Sequence, residues 1–175
     1  MLEVLAELES LLETLSLLAK ADSEVSPHLE PVDLEAGVRD SLERLDDELA
    51  RRRLTVDSEI SAGPFVTDPV LWRAIVANLL GNAVTYAPEG STLRVCASPL
   101  VFAVENEAPD LDPGDLDRLF ERFWRKSSSR TEKGHSGLGL SVVRAAVNFL
   151  GGECSASLDG SRLRVEVRWP GMPLS

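Results

Sequence analysis

Residues 106 to 136 form the one long irregular stretch in this chain, and helix or strand periodicity runs along both sides of it. A compact domain carries such a stretch chiefly as a binding loop or lid, so the surrounding fold has to present an open site. Upstream, residues 92 to 98 and 100 to 105 alternate around Pro99, which predicts a tight hairpin. Downstream, residues 138 to 150 read as a helix, followed by a closing hairpin over 153 to 158 and 162 to 169, across Asp159-Gly160. Nearer the start, a helix is expected from Asp33 as N-cap through Leu34, Val38, Leu42, Leu45 and Leu49. It ends in Arg51-Arg52-Arg53, where cations suit the negative helix end. Residues 54 to 60 alternate as a strand, and Asp68-Pro69 opens a further helix through about Tyr86. Helices and mostly antiparallel strands in this order predict an α/β two-layer sandwich, a mixed sheet covered on one face by helices.

Residues 2 to 22 place Leu5, Leu8, Leu12, Leu15 and Ala19 at alternating three- and four-residue steps, with Leu11 and Leu18 widening the stripe. Such a stripe packs on its own domain or joins a helical bundle between two chains, and the heptad-like spacing favours the bundle. The Ser-, Pro- and acid-rich residues 23 to 32 read as a linker, leaving 33 to 175 as the main domain. With 18 basic and 29 acidic residues the net charge is −11, which repels phosphate backbones and argues against nucleic acid as a partner. No apolar run reaches the roughly 18 to 20 residues that cross a bilayer, and Glu3 and Glu7 stand where a signal peptide carries positive charge. The chain as given is expected to be soluble. Cys96 and Cys154 form no CxxC pair and are expected as reduced core thiols. With only His28 and His135, no structural metal is expected.

Three motifs carry chemistry. In Asn78-Leu79-Leu80-Gly81-Asn82-Ala83-Val84-Thr85-Tyr86, the residues Asn78, Asn82 and Tyr86 recur every fourth position and share one helix face. Asparagine carbonyls are hard oxygen ligands suited to Mg²⁺. The same stripe reads equally as an exposed face, although two mid-helix asparagines are poor helix formers that call for a reason. In Ser136-Gly137-Leu138-Gly139-Leu140 the glycines open a helix directly after the long loop, where bare N–H groups and the positive helix end attract phosphate. Glycine there also serves turns and tight packing; the polar loop with Lys126, Arg130 and Lys133 adds cations to close over a triphosphate. Between the two lie Val104-Glu105-Asn106-Glu107-Ala108-Pro109-Asp110-Leu111 at a strand end and Leu119-Phe120-Glu121-Arg122-Phe123-Trp124-Arg125. The second run is expected on a short helix over 115 to 123, its aromatic trio anchoring the lid root in the core. Arg122 or Arg125 there would neutralise a transferred phosphate.

The order of these elements resembles the catalytic domain of sensor histidine kinases of two-component systems: an N box at 78 to 86, a first glycine box at 104 to 111, an F box at 119 to 125 and a second glycine box at 135 to 140. The resemblance implies the Bergerat ATP-binding sandwich, of the superfamily shared with gyrase and Hsp90, preceded by the second helix of the dimerisation hairpin over 1 to 22. It implies ATP and Mg²⁺ as cofactors, with Asn82 on the metal, Asn78 supporting the phosphates and Tyr86 flanking the adenine. Asn106 stands where the family usually has the aspartate that accepts from the adenine amino group, and its carbonyl can still accept. Ala108 and Leu111 of the first glycine box, Phe120, Arg122 and Phe123 of the F box, and Ser136, Gly137, Leu138, Gly139 and Leu140 would line the nucleotide. Arg125 would be the arginine that promotes transfer. The implied partners are a phosphoacceptor helix of the same full-length kinase, a response regulator, and a second copy joined through the leading helix. The implied setting is a cytoplasmic domain of a parent in the bacterial inner membrane.

The chain departs from the family pattern in several places. Ala108 and Asp110 replace glycines, adding a methyl group and a carboxylate near the nucleotide; His135 replaces the first glycine of its box, and Thr85 a lysine. No His-Glu or His-Asp followed by Arg-x-Pro occurs, and His28 in the linker does not substitute, so the phosphorylated histidine is expected on a segment this chain lacks. Histidine phosphorylation is the leading expectation. Hydrolysis of the gyrase or Hsp90 type needs a glutamate base where this chain has Asn78, which takes no proton at neutral pH. The alternative suggested by Ala108 and Asp110 is a degenerate, non-ATP-binding dimeric docking scaffold of the same fold.

Overall fold

A computed structural model describes residues 26–61, 63–126 and 137–169. The leading helix expected over 1 to 22, the loop segment 127 to 136 with Arg130, Lys133, His135 and Ser136, and the tail from 170 lie outside them. Five strands form one sheet: β2 (Thr55–Ile60), β4 (Thr92–Ala97), β5 (Val101–Glu107), β6 (Glu153–Asp159) and β7 (Arg162–Arg168), in the order β2-β4-β5-β7-β6. β2 runs parallel to β4 and every other pairing is antiparallel, which makes the sheet mixed as expected. A two-strand ribbon, β1 (Glu30–Pro31) with β3 (Val66–Thr67), stands apart from it.

Strand alternation sorts the two faces. Leu93 and Val95 of β4, Phe102 and Val104 of β5, and Leu163, Val165 and Val167 of β7 are all at most 5% exposed and point into one core. The opposite face carries charge, with Arg94, Glu105, Arg164 and Glu166 linked in ion pairs across β4, β5 and β7. Burial pushes the Glu166 carboxyl up, while the Arg164 and Arg168 guanidiniums outweigh it and leave it below the usual carboxylate value. The core is closed from the other side by α1 (Leu34–Glu43), α3 (Pro69–Tyr86) and α4 (Gly139–Phe149). α3 is apolar on most of its circumference, burying Leu71, Trp72, Ile75, Val76, Leu79, Leu80, Ala83 and Val84. Its start is the expected one: Asp68 caps the helix, its carboxylate accepting from Val70 and Leu71 N–H at 3.0 and 3.2 Å, with Pro69 in the first turn.

Three local expectations are corrected. The single helix from Asp33 to the arginines is two, α1 and α2 (Asp46–Arg51), separated at Arg44 and Leu45. Asp46, Asp47 and Glu48 supply a fresh acidic first turn, which favours a new helix N-terminus over continuation. The short helix expected over 115 to 123 is a 3₁₀ helix at Pro113–Arg118, so the F box lies on the turns after it. Its signal was present as Asp112 before Pro113 with Asp115 three residues on; the Asp115 carboxylate accepts from Asp112 N–H at 3.0 Å. Cys96 and Cys154, expected in the core, are half-buried free thiols on β4 and β6.

Candidate functional site

α3 projects Asn78, Asn82 and Tyr86 from the part of its surface that the core leaves half-buried. The Asn78 side chain has a determined orientation: its Nδ2 donates to Ala74 O at 2.8 Å, which leaves Oδ1 toward the start of α4. Directly opposite that oxygen is the start of α4. A Cβ placed on Gly139 would lie 3.0 Å from Asn78 Oδ1, tighter than nearly all real contacts. The second glycine box therefore meets the amide helix face to face, and glycine at 139 is what lets the two approach. The first N–H groups of α4, an eleven-residue helix, have no partner within the helix and carry its positive end.

Gly137 has φ +70°, a backbone region that glycine enters without strain. A Cβ there would sit 3.0 Å from the Phe123 carbonyl carbon and 3.0 Å from Trp124 O. Phe123 N–H donates to Gly137 O at 3.0 Å, which staples the F box to the glycine turn. Phe123 pays in geometry, with φ 63°, a left-handed backbone uncommon for an aromatic residue.

The aromatic trio splits. Phe120 is 6% exposed and sits in the core, whereas Phe123 is 66% exposed and Trp124 is half-buried beneath the Arg118 guanidinium, 5.7 Å from the ring centroid. A groove of about 500 Å³ runs along Arg118, Arg122, Phe123, Arg125 and Lys126, at the F box rather than over the amide stripe. Arg125 is half-buried and Arg122 exposed. Lys126, expected to reach over a triphosphate, instead bonds Asp112 and Asp115 at 2.5 and 2.6 Å, which ties the end of the F box back to the 3₁₀ helix. That bond to Lys126, ahead of the Asp112 N–H, holds the Asp115 carboxyl below its ordinary value.

Asn106 is 3% exposed on the core face of β5, in line with Phe102 and Val104, and so faces the helix layer. Its Nδ2 donates to Glu107 O at 2.8 Å, which orients the amide. Behind it, Glu107 accepts from Ser161 Oγ and Arg162 Nη2, both at 2.7 Å, and Ala108 N–H donates to Ser161 O at 2.7 Å. Sequence reading missed this clamp because its halves lie on β5 and in the β6–β7 turn. Ala108 is half-buried and Asp110 exposed; among the described non-glycine residues only Arg53 and Phe123 have positive φ, so neither replaced glycine is strained. The side chains of Leu138 and Leu140 are 1% and 6% exposed in the core, which leaves any ligand contact there to their backbone. Leu111 packs half-buried against the core.

The family profile described as histidine kinase-, DNA gyrase B- and HSP90-like ATPase matches residues 67–171, more than half the chain. The chain is 35% identical over 108 residues to the sensor histidine kinase CusS of Escherichia coli K12, covering 59% of this chain and 22% of that protein. It is 31% identical over 174 residues to the sensor protein kinase PmrB of Pseudomonas aeruginosa PAO1, covering 93% of this chain and 35% of that one. It thus spans between a fifth and about a third of the length of these curated relatives. The solved structure of the Acinetobacter baumannii histidine kinase AdeS superimposes with a TM-score of 0.76 at 23% identity, covering 95% of this chain and 78% of that one, which shows the shared fold. The chain belongs to the histidine kinase-, DNA gyrase B- and HSP90-like ATPase family, as the ATP-binding domain of a two-component sensor histidine kinase.

Proposed function

We propose that this domain binds MgATP between α3 and the Gly137–Gly139 turn, and passes the γ-phosphate to a histidine on the phosphoacceptor helix of the full-length kinase. The observation that carries the reading is the approach of Gly139 to Asn78 Oδ1, which sets a side-chain acceptor oxygen beside a helix N-terminus. The two suit different parts of a metal triphosphate. The first N–H groups of α4, unused within the helix, would bind phosphate oxygens, while the amide oxygens of Asn78 and Asn82 are hard acceptors that suit a hydrated Mg²⁺. Bound there, the metal would supply charge neutralisation between phosphate oxygens. Tyr86 would flank the base and Asn106 accept from its amino group, while Arg125, at the F box, would offset charge on the transferred group. The absence of a carboxylate at Asn78 disfavours activation of water and so favours transfer over hydrolysis.

In the parent protein we place this domain on the cytoplasmic side of the bacterial inner membrane. A response regulator accepts the phosphate downstream, and residues 1 to 22 join two copies. No helix among the described residues is long and apolar enough to cross a membrane.

The test is a melting titration. With MgATP at about 100 times its Kd, mass action adds roughly 2.7 kcal/mol to the folded state, a readily measured rise in Tm. Asn82→Ala is expected to remove the Mg²⁺-dependent part of that rise, and an undiminished response in that variant refutes the metal assignment. A flat titration of the unsubstituted chain would instead favour the docking-scaffold reading, which rests on Ala108 and Asp110.

A further inference from the structure

The arginine cluster at the end of α2 supplies a basic last turn and C-cap, and Arg52 within it does more. Its guanidinium reaches across to the C-terminal end of α3: Nη1 donates to Val84 O and Thr85 O, and Nη2 to Ala87 O at 2.6 Å. These are carbonyls of the last turn of α3, which no helical N–H satisfies fully. The reach is braced from both sides. Arg52 N–H donates to Glu48 O at 3.0 Å, and Arg52 O accepts from Gly90 N–H at 3.0 Å, which ties the turn after α2 to the loop after α3. Arg53 then takes φ 55°, reversing the chain so that Thr55 N–H meets Ser91 O at 3.1 Å and β2 begins.

We propose that Arg52 is a positioning residue for the nucleotide: its three-carbonyl grip closes the last turn of α3 and so holds Asn82 and Tyr86 where ligand meets them. The inference rests on the nucleotide site proposed above. The planar fork of arginine bridges several carbonyls at once, where the ammonium of lysine acts as a single point charge. Asn78 has the core on one side and its own bond to Ala74 O. Asn82 and Tyr86 lie beyond it, in the stretch that Arg52 closes.

The experiment compares the unsubstituted chain with Arg52→Ala, Arg52→Lys and Arg51→Ala, each titrated with trinitrophenyl-ATP and MgCl₂. Arg51→Ala is the control for lost charge, since Arg51 pairs only with the surface Glu48 among the described contacts. Titrations are run well below the melting midpoint of the least stable variant, where a residue that merely stabilises the fold leaves Kd unchanged. Arg52→Ala is expected to bind about tenfold more weakly, a loss of about 1.4 kcal/mol. Arg52→Lys should fall between, and Arg51→Ala should match the unsubstituted chain. The Asn82 side-chain amide resonance should also shift in Arg52→Ala without nucleotide. Unchanged affinity in a folded Arg52→Ala, or equal loss in Arg51→Ala, overturns the inference. Should Arg52→Ala not fold, Arg52→Lys decides, and affinity equal to the unsubstituted chain then overturns it. If the unsubstituted chain does not bind, it is the nucleotide reading that fails, and an unmoved Asn82 resonance is what separately removes the positioning role.

Discussion

α3 and the F box are held by different physics. α3 buries eight side chains in the core, and its amide stripe is a by-product of a helix that the hydrophobic effect already fixes in place. The F box has one deeply buried side chain, Phe120. Its described polar ties include the Lys126 ion pairs and the Phe123 N–H to Gly137 O bond, and its backbone is strained at Phe123. Core-held elements open only with the whole domain, whereas polar-tethered ones open locally at lower free energy. α3 therefore holds its side chains in fixed positions, whereas the F box is the segment expected to open at lower free energy.

The largest effect that would break this contrast is in α3. Ile75 is 0% exposed, so Ile75→Ala should cost roughly 2 to 5 kcal/mol in urea unfolding and lower protection throughout the sheet. A loss confined to the α3 amides would show that the helix is not part of the common core. Gly137→Ala forces a side chain into φ +70° against Phe123 and Trp124, costing about 1 to 3 kcal/mol. Hydrogen exchange should quicken first at residues 119 to 126. Gly139→Ala separates the two properties. Alanine favours helix over glycine by about 1 kcal/mol, which offsets much of the crowding, while its methyl presses on Asn78 Oδ1. Stability should stay near that of the parent as nucleotide affinity falls, and parallel changes in both would contradict the cleft geometry.

The smallest effect concerns acid. Because the folded Asp115 carboxyl titrates below its ordinary 3.8, its contribution is complete above that value and is lost as pH falls through the lower folded one. Exchange at the 3₁₀ helix and F box should accelerate on acidification ahead of the core. Lys126→Met, removing the main cause of the lowered value, should flatten that dependence; a dependence unaltered by the substitution would detach it from this pair.

Much of the fold was legible because its signals are local. Asp68-Pro69 marks a helix start through one carboxylate and one ring, and alternation in β4, β5, β6 and β7 marks faces through the two-residue period of a strand. The departures also have local causes. The run of leucines to Leu49 continues a helical period through the acidic triplet Asp46-Asp47-Glu48, which opens a new helix, and the apolar content of the F box masks the exposure of Phe123.

By itself, then, the sequence determined that Asn78, Asn82 and Tyr86 share a helix face, and that a glycine-bearing turn opens a later helix. Backbone period and glycine's missing side chain act within a few residues. Only the tertiary structure decided that Gly139 backs onto Asn78, that Lys126 is spent on Asp112 and Asp115, and that Arg52 closes a helix it does not belong to. Those contacts join segments far apart along the chain, and their positions follow from the summed burial of the whole core, which no short stretch of residues records.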